Sequence, residues 1–276
     1  GVAGTQNLYL GYRAGRGLDT TNIGSRNVAI GSNSLIRNQT GYDCVALGAD
    51  SMAYNESGYR NVGIGHRSLY KNNFRNNVAI GYYSSYNQVT GQGNVSIGYA
   101  SGYGVANNSH SYNVSIGTIS GYGVTTGSNN VNIGYASGRL GTTGSKRVML
   151  GNYAGYNQTT ISDLLIIDNQ DRGSAAAEIT DCLIYGVFNT TPASQSLRLN
   201  VGNLYLGNPT HSDADDGGLI TQTFIREDGA GTATSAASWK IKKLIYSGTS
   251  VTSILWADGD TTFDNIWDNY SSLSYL

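Results

Sequence analysis

A four-residue motif recurs through the first half of the chain and constrains its fold more than any other feature. The motif is Val-x-Ile-Gly, with Leu allowed at either apolar position, and it occurs nine times. Its closing glycines are Gly11, Gly31, Gly48, Gly65, Gly81, Gly98, Gly117, Gly134 and Gly151. A unit of about 17 residues cannot bury its own apolar face, so it stacks on copies of itself as a solenoid.

The residues around each glycine predict the shape of one turn. Val and Ile flank a small or polar residue, as in Val28-Ala29-Ile30, and this period of two places both on one face of a β-strand. An Asn usually stands four positions before the glycine and another Gly seven before it. Both residue types favour turns. Ala or Ser always stands three positions after the glycine, which indicates close packing there. The prediction is an all-β parallel β-roll, or β-solenoid, over residues 1–160.

The number of large apolar residues bears on assembly. Two per turn are too few to fill the interior of one chain, since single-chain β-helices use about three in every 18 residues. We therefore expect a homotrimer whose Val and Ile faces meet at a shared axis, which also covers exposed edges. The predicted trimer core comprises Val28, Ile30, Val62, Ile64, Val78, Ile80, Val95, Ile97, Val114, Ile116, Val131 and Ile133.

The repeat has a known counterpart. The run Asn-Val-Ala-Ile-Gly-x-x-Ser, found at Asn27 to Ser34 and at Asn77 to Ser84, resembles the head repeat of trimeric autotransporter adhesins. That repeat forms the YadA-like left-handed parallel β-roll, and the motif also occurs in bacteriophage tail-fibre proteins. The resemblance covers about residues 5 to 157. It implies a trimeric rod. The units here are longer than the usual adhesin repeat, so the loop surfaces of that family are not carried over.

The second half of the chain differs in composition and charge. Residues 1–160 carry 11 Lys and Arg against 4 Asp and Glu, whereas residues 161–276 carry 6 against 14. We divide this half into a closing rung with a β-hairpin connector at 161–208, a flexible acidic and Gly-rich loop region at 209–236, and a β-rich cap or tip at 237–276. The closing rung is Leu165-Ile166-Ile167-Asp168, where Asp168 replaces the glycine.

Tyrosines supply the first candidate contact surface. Several stand five residues after a repeat glycine, and no Lys, Arg, Asp or Glu occurs from Asn76 to Gly138. Such a neutral surface can bind sugar hydroxyls without desolvating charge. Equally, tyrosine ladders arise when neighbouring rungs pack on each other. A second group lies near the C-terminus and suits a sugar pocket, a glycosidase pair or a plain acidic turn. The candidate glycan contacts are Tyr86, Tyr103, Tyr122, Trp256, Asp258, Asp260 and Trp267.

The sequence gives little indication of catalysis, metal binding or nucleic-acid binding. Cys44 and Cys182 are expected to be buried free thiols. The three histidines do not cluster, so no catalytic site, metal site or cofactor is predicted. A basic group could contact an anionic glycan, but no motif for nucleic acid accompanies it. That group is Arg60, Arg67, Lys71 and Arg75. No segment has the length of apolar sequence needed for membrane insertion.

These features together predict a non-enzymatic structural and host-attachment protein. The leading hypothesis is a homotrimeric tail fibre or receptor-binding protein in the virion tail of a bacteriophage. Its partners would be other virion tail proteins and a host cell-surface glycan or outer-membrane protein. The alternative is the passenger head of a trimeric adhesin on a bacterial surface. A third hypothesis is a tailspike-like polysaccharide depolymerase that uses Asp258 and Asp260.

Overall fold

The computed structural model describes residues 5–17, 24–105 and 108–201, together with the backbone of three strands at 222–227, 240–247 and 250–256. The chain divides into two compact units, Gly1–Asn200 and Val201–Leu276. The first unit contains the repeats and most of the segment that we predicted as a connector.

The repeats form a parallel β-solenoid, as predicted. Each motif contributes one short strand, and successive strands pair in register, with Val28 opposite Val45 and Ile30 opposite Leu47. The strands are β1 (Leu8–Leu10), β2 (Val28–Ile30), β3 (Val45–Leu47), β4 (Val62–Ile64), β5 (Val78–Ile80), β6 (Val95–Ile97), β7 (Val114–Ile116), β8 (Val131–Ile133) and β9 (Val148–Leu150). A tenth strand, β10 (Leu164–Ile167), pairs with β9 in parallel and confirms the predicted tenth rung.

The two faces of the strands differ in burial. The middle residue of each strand from β2 to β9 points inward and is buried, whereas the flanking Val and Ile are partly exposed on the opposite face. The expectation that one chain lacks an interior of its own was wrong, because small middle residues fill a narrow one. Ala29, Ala46 and Ala79 pack there with Leu35 and Met52, and all five are fully buried.

The column of Ala and Ser three positions after the glycine lies in this interior, which confirms the predicted close packing. Ser34 and Ser120 are fully buried. The Ser34 hydroxyl donates to the Ala46 carbonyl of the next rung at 3.0 Å, and the Ser120 hydroxyl donates to the Asn132 carbonyl at 2.8 Å. A larger side chain would displace the strand that these bonds hold.

The asparagine column links neighbouring rungs. Each of these side chains bridges to the following turn. The Asn27 side chain accepts from the Cys44 amide at 3.0 Å and donates to the Gly41 carbonyl at 2.8 Å. Asn113 repeats this pattern with Asn130 and Gly127, each at 2.8 Å. Asparagine ladders of this kind stabilise stacked β-structure because every amide is satisfied by the layer above or below.

The solenoid ends in an antiparallel extension. After β10 the chain forms a helix α1 (Ala175–Asp181), which the sequence analysis did not predict, and then β11 (Ile184–Val187) and β12 (Ser196–Leu199). Strand β11 pairs antiparallel with both β10 and β12, which confirms the predicted hairpin. The buried Glu178 of α1 accepts from the Asn157 amide at 2.7 Å, so the helix covers the last turn.

The second unit contains a small antiparallel sheet in the order β13 (Gln222–Glu227), β14 (Lys240–Ser247), β15 (Ser250–Trp256). Strand β13 lies within the region 209–236 that we predicted as a flexible loop, so that prediction is corrected for these residues. Its Thr-Phe-Ile core has high β propensity, which explains the strand.

Candidate functional site

Tyrosines on successive turns stack into a ladder on the outside of the solenoid. The rings of Tyr70, Tyr86, Tyr103 and Tyr122 lie 4.8–5.3 Å apart, centroid to centroid, with interplanar angles of 3–10°. The spacing follows from the strand separation of about 4.8 Å, because each ring occupies the same position on its turn. The four side chains are partly buried.

An arginine continues this ladder where a tyrosine is missing. Arg139 lies between Tyr122 and Tyr156, with its guanidinium carbon 5.8 Å and 5.4 Å from the two ring centroids. Its Nη1 also donates to the Tyr156 hydroxyl. Tyr156 therefore joins the column through a cation–π contact rather than by ring stacking.

A second, shorter stack stands one residue after the glycines. His66 stacks on Tyr82 at 5.0 Å, and Tyr82 stacks on Tyr99 at 5.6 Å. Thr118 occupies the same position on the next turn, so Tyr135 lies apart and meets Tyr153 edge-on at 5.3 Å. The sequence analysis did not place His66 in this stack, although His66 directly follows the repeat glycine Gly65.

Stacking limits what the tyrosine ladder can bind. A ring covered by rings on both sides has no free face for a sugar, so Tyr86 and Tyr103 present their edges and hydroxyl groups. Burial raises the pKa of Tyr103, and burial together with a hydrogen bond that the Tyr70 hydroxyl donates to Tyr54 raises the pKa of Tyr70 to about 12. Both phenols are neutral at physiological pH. They can donate and accept hydrogen bonds but are poor proton donors for catalysis.

The basic residues singled out in the sequence are mostly engaged. Arg67 donates to Asp50 at 3.2 Å and to the Tyr83 hydroxyl at 3.0 Å. Arg75 donates to Gln92 at 2.9 Å and to the Tyr59 hydroxyl at 2.5 Å. These contacts join neighbouring turns. The four residues do not line a common cavity among those identified on the described part of the chain.

A different set of arginines lines a groove at the first four turns. Arg13, Arg16 and Arg37 surround a cavity of about 360 Å³ together with Tyr54 and Tyr70. The sequence analysis missed this group, because the three arginines are separated by up to 24 positions and converge only when the turns stack. Arg13 and Arg16 stand two and five residues after Gly11, and Arg37 stands six residues after Gly31. These positions within the repeat could have indicated that the three side chains come together.

Burial keeps the side chains of Cys44 and His110 neutral at pH 7. Burial raises the pKa of Cys44 to about 11, so this side chain is a thiol at neutral pH. Cys44 and Cys182 are both free and buried, as expected. Burial lowers the pKa of His110 to about 4, which keeps the ring neutral. Over residues 5–17, 24–105 and 108–201, no group of three or more His, Cys, Asp or Glu is placed to hold a metal ion.

The C-terminal candidates are only partly described. Trp256 is the last residue of β15, and its backbone is in register with Lys242 of β14. Asp258, Asp260 and Trp267 lie outside the described residues. The proposed grouping of these four residues therefore stays a prediction.

No family model, curated protein or solved structure matches this chain. Within the described segments, no helix has the length and apolar character required to cross a bilayer.

Proposed function

We propose that the chain is a non-enzymatic structural and host-attachment protein that acts as a homotrimeric bacteriophage tail fibre or receptor-binding protein. The observation that carries this proposal is the aliphatic face of the solenoid. The flanking residues of β2 to β9, Val in one column and Ile or Leu in the other, stay partly exposed on one chain, and Ile133 retains 39% of its surface. A contiguous apolar surface of this kind marks an interaction site.

The regularity of the columns favours copies of the same chain as partners. A second copy has the same distance between successive turns, so its side chains stay aligned with those of the first copy along the whole contact. Each strand offers Val on one flank and Ile on the other, which lets each chain contact one neighbour through each column. A contact between unlike surfaces closes into a ring when the rotation that relates neighbouring copies divides a full turn evenly. The resemblance to trimeric adhesin and tail-fibre repeats supports three copies. Location in the virion tail, with other tail proteins as partners, rests on that same resemblance.

Host contact is assigned to the polar surface and to the terminal domain. The stretch from Asn76 to Gly138 carries no Lys, Arg, Asp or Glu and presents the edges of Tyr86, Tyr103 and Tyr122. Neutral hydroxyl and amide groups bind sugar hydroxyls at a low desolvation cost. Trp256, Asp258, Asp260 and Trp267 are the second candidate contact. Repetition in a trimer would multiply weak sugar contacts into useful avidity.

Three measurements test this function. Native mass spectrometry of the full chain is expected to give three copies, and a single folded copy would contradict the assembly. A glycan array probed with the full chain is expected to show binding to bacterial surface saccharides, and a blank array would contradict glycan attachment. Release of reducing sugar from a bound polysaccharide, abolished by Asp258→Asn with Asp260→Asn, would establish a depolymerase instead.

A further inference from the structure

The tyrosine ladder ends at a place where the solenoid surface opens. Five residues after the glycine, the column that holds Tyr70 and the rings beyond it holds Ala53, Ile36 and Arg16 on the three preceding turns. These smaller or more flexible side chains leave the cavity of about 360 Å³. Ligand pockets typically measure about 300–1,000 Å³, so the volume suits a small saccharide.

The floor of this groove offers both ring and aliphatic surface. Tyr54 meets Tyr70 at 4.9 Å with an interplanar angle of 62°, which interrupts the parallel stack. Ile36 and Ala53 line the same groove. Pyranose rings bind such surfaces through their C–H faces, while their hydroxyl groups stay at the polar rim.

The rim is strongly basic. Arg13, Arg16 and Arg37 all line the groove. In the described part of the chain, Arg13 and Arg16 form no ion pair with a carboxylate, and Arg37 has only a long contact with Glu56 at 3.9 Å. The Arg37 guanidinium instead lies 4.4 Å from the centroid of the Tyr54 ring, which orients it at the groove.

Among the described lining residues, Asp50 is the one carboxylate, and it does not neutralise these arginines. Asp50 accepts from Arg67 at 3.2 Å and from the Asn33 amide at 3.1 Å. Its charge is therefore balanced by Arg67, which is outside the lining. Among the described lining residues, positive charge is therefore in excess beside aromatic and aliphatic surface.

We propose that this groove binds a carboxylate-bearing sugar, such as a uronic acid residue of a bacterial surface polysaccharide. Guanidinium groups bind carboxylates through paired N–H donors, and Tyr54 with Ile36 would contact the sugar ring. The proposal rests on the proposed function, because it names the class of glycan that the attachment protein recognises. It adds a contact at the first four turns to those proposed for the neutral stretch and the terminal domain.

Titration calorimetry with the full chain tests the groove. The probes are a hexuronate oligosaccharide, a neutral hexose oligosaccharide of equal length and inorganic sulfate. The hexuronate probe is expected to bind, with affinity that falls as salt rises. The triple variant Arg13→Gln, Arg16→Gln, Arg37→Gln is expected to lose about tenfold or more of that affinity. Lys146→Gln removes one exposed positive charge at the ninth turn, which matches the charge lost in Arg37→Gln alone, and this control is expected to bind as the parent does.

Each other outcome overturns the assignment. Equal binding of the neutral probe would remove the role of the carboxylate, and competition by sulfate at equal concentration would show a simple anion site. Unchanged binding by the triple variant would place the contact elsewhere. Circular dichroism of the triple variant must match the parent for the comparison to stand, and Arg37→Gln alone serves if the triple variant unfolds. Glycan-array binding without hexuronate binding would reject this groove and leave the proposed function in place.

Discussion

Each repeat glycine occupies a backbone conformation and a space that only glycine tolerates. Gly31 has φ +128°, and a Cβ built on it would lie 2.6 Å from the Gly48 carbonyl carbon of the next turn. The sequence revealed these positions through their recurrence, since a residue that must be glycine on every turn indicates close backbone approach. The missing Cβ lets adjacent turns reach hydrogen-bonding distance.

Gly31→Ala is therefore expected to lower the free energy of unfolding by about 3 kcal/mol or more, because strain from φ adds to overlap with the next turn. Chemical denaturation measures the loss. Gly173→Ala is the matched control, since Gly173 has φ +72° but a Cβ added to it would meet nothing within 4 Å, and it is expected to cost about 1 kcal/mol. Equal losses would show that inter-turn contact does not select glycine.

His110 makes the stability of the solenoid depend on pH. Its ring is fully buried, with Nδ1 3.2 Å from Asn94 Oδ1 and 3.1 Å from Asn113 Nδ2, and burial lowers its pKa to about 4. The unfolded chain takes up a proton near pH 6.5, before the folded chain does. Stability from this residue is therefore full above pH 6.5 and is lost as the pH falls toward 4, by up to about 3 kcal/mol.

Denaturation midpoints between pH 7.5 and pH 4 measure this effect. His110→Asn is expected to remove the fall in the denaturation midpoint that protonation of this histidine causes at acid pH. His66→Asn changes a partly exposed histidine and is expected to leave the acid-induced loss in place. A parent-like curve for His110→Asn would show that carboxylates, not this histidine, control the acid response.

At the scale of one turn, two exceptions to the repeat compensate each other. Arg147 replaces the ladder asparagine and is buried. It has no carboxylate partner in the described chain. Its Nη1 donates to the Gln158 carbonyl at 2.7 Å. Gly141 stands where earlier turns have Asn38, Asn55 and Asn72. A Cβ on Gly141 would lie 2.3 Å from Arg147 Nη2, so the glycine makes room for the guanidinium.

This pairing predicts a strong coupling between the two positions. Gly141→Asn alone is expected to destabilise the fold through overlap with Arg147, and Arg147→Asn alone through the void it leaves. The double variant rebuilds both amide columns and is expected to recover at least about 1 kcal/mol relative to the sum of the single losses. Denaturation of the four proteins of this cycle measures the coupling. Additive losses would mean that the two exceptions are independent.

The sequence predicts those elements that one turn specifies by itself. Period-two strands, turn residues and the small column after each glycine are local patterns, and the structure confirms them. The inward direction of Ala29 and Ala46 was missed because both faces of the strand can hold apolar residues. The groove around Arg16 and Arg37 was missed because it depends on which columns of different turns become neighbours. Helix α1 was missed because its seven residues carry little helical periodicity.

At the scale of the whole molecule, assembly determines whether the outward Val and Ile side chains are buried. The single chain already buries its small middle residues, so the outward Val and Ile are available for contacts between chains. Burial of an aliphatic side chain contributes about 1.5–3 kcal/mol, and the columns repeat it on every turn. An oligomer that uses them would be tight, and a charge placed in a column would disrupt it strongly.

Ile97→Lys with Ile116→Lys tests this directly. Both side chains point outward from adjacent strands, so the turn itself keeps its internal packing while the shared apolar surface acquires two charges. Native mass spectrometry is expected to show a trimer for the parent and a smaller species for the variant. Thr126→Lys with Thr143→Lys adds the same charges to exposed turn residues and is expected to remain trimeric. A variant that assembles like the parent would place the contact between chains away from these columns, and would remove the physical basis for the proposed trimer.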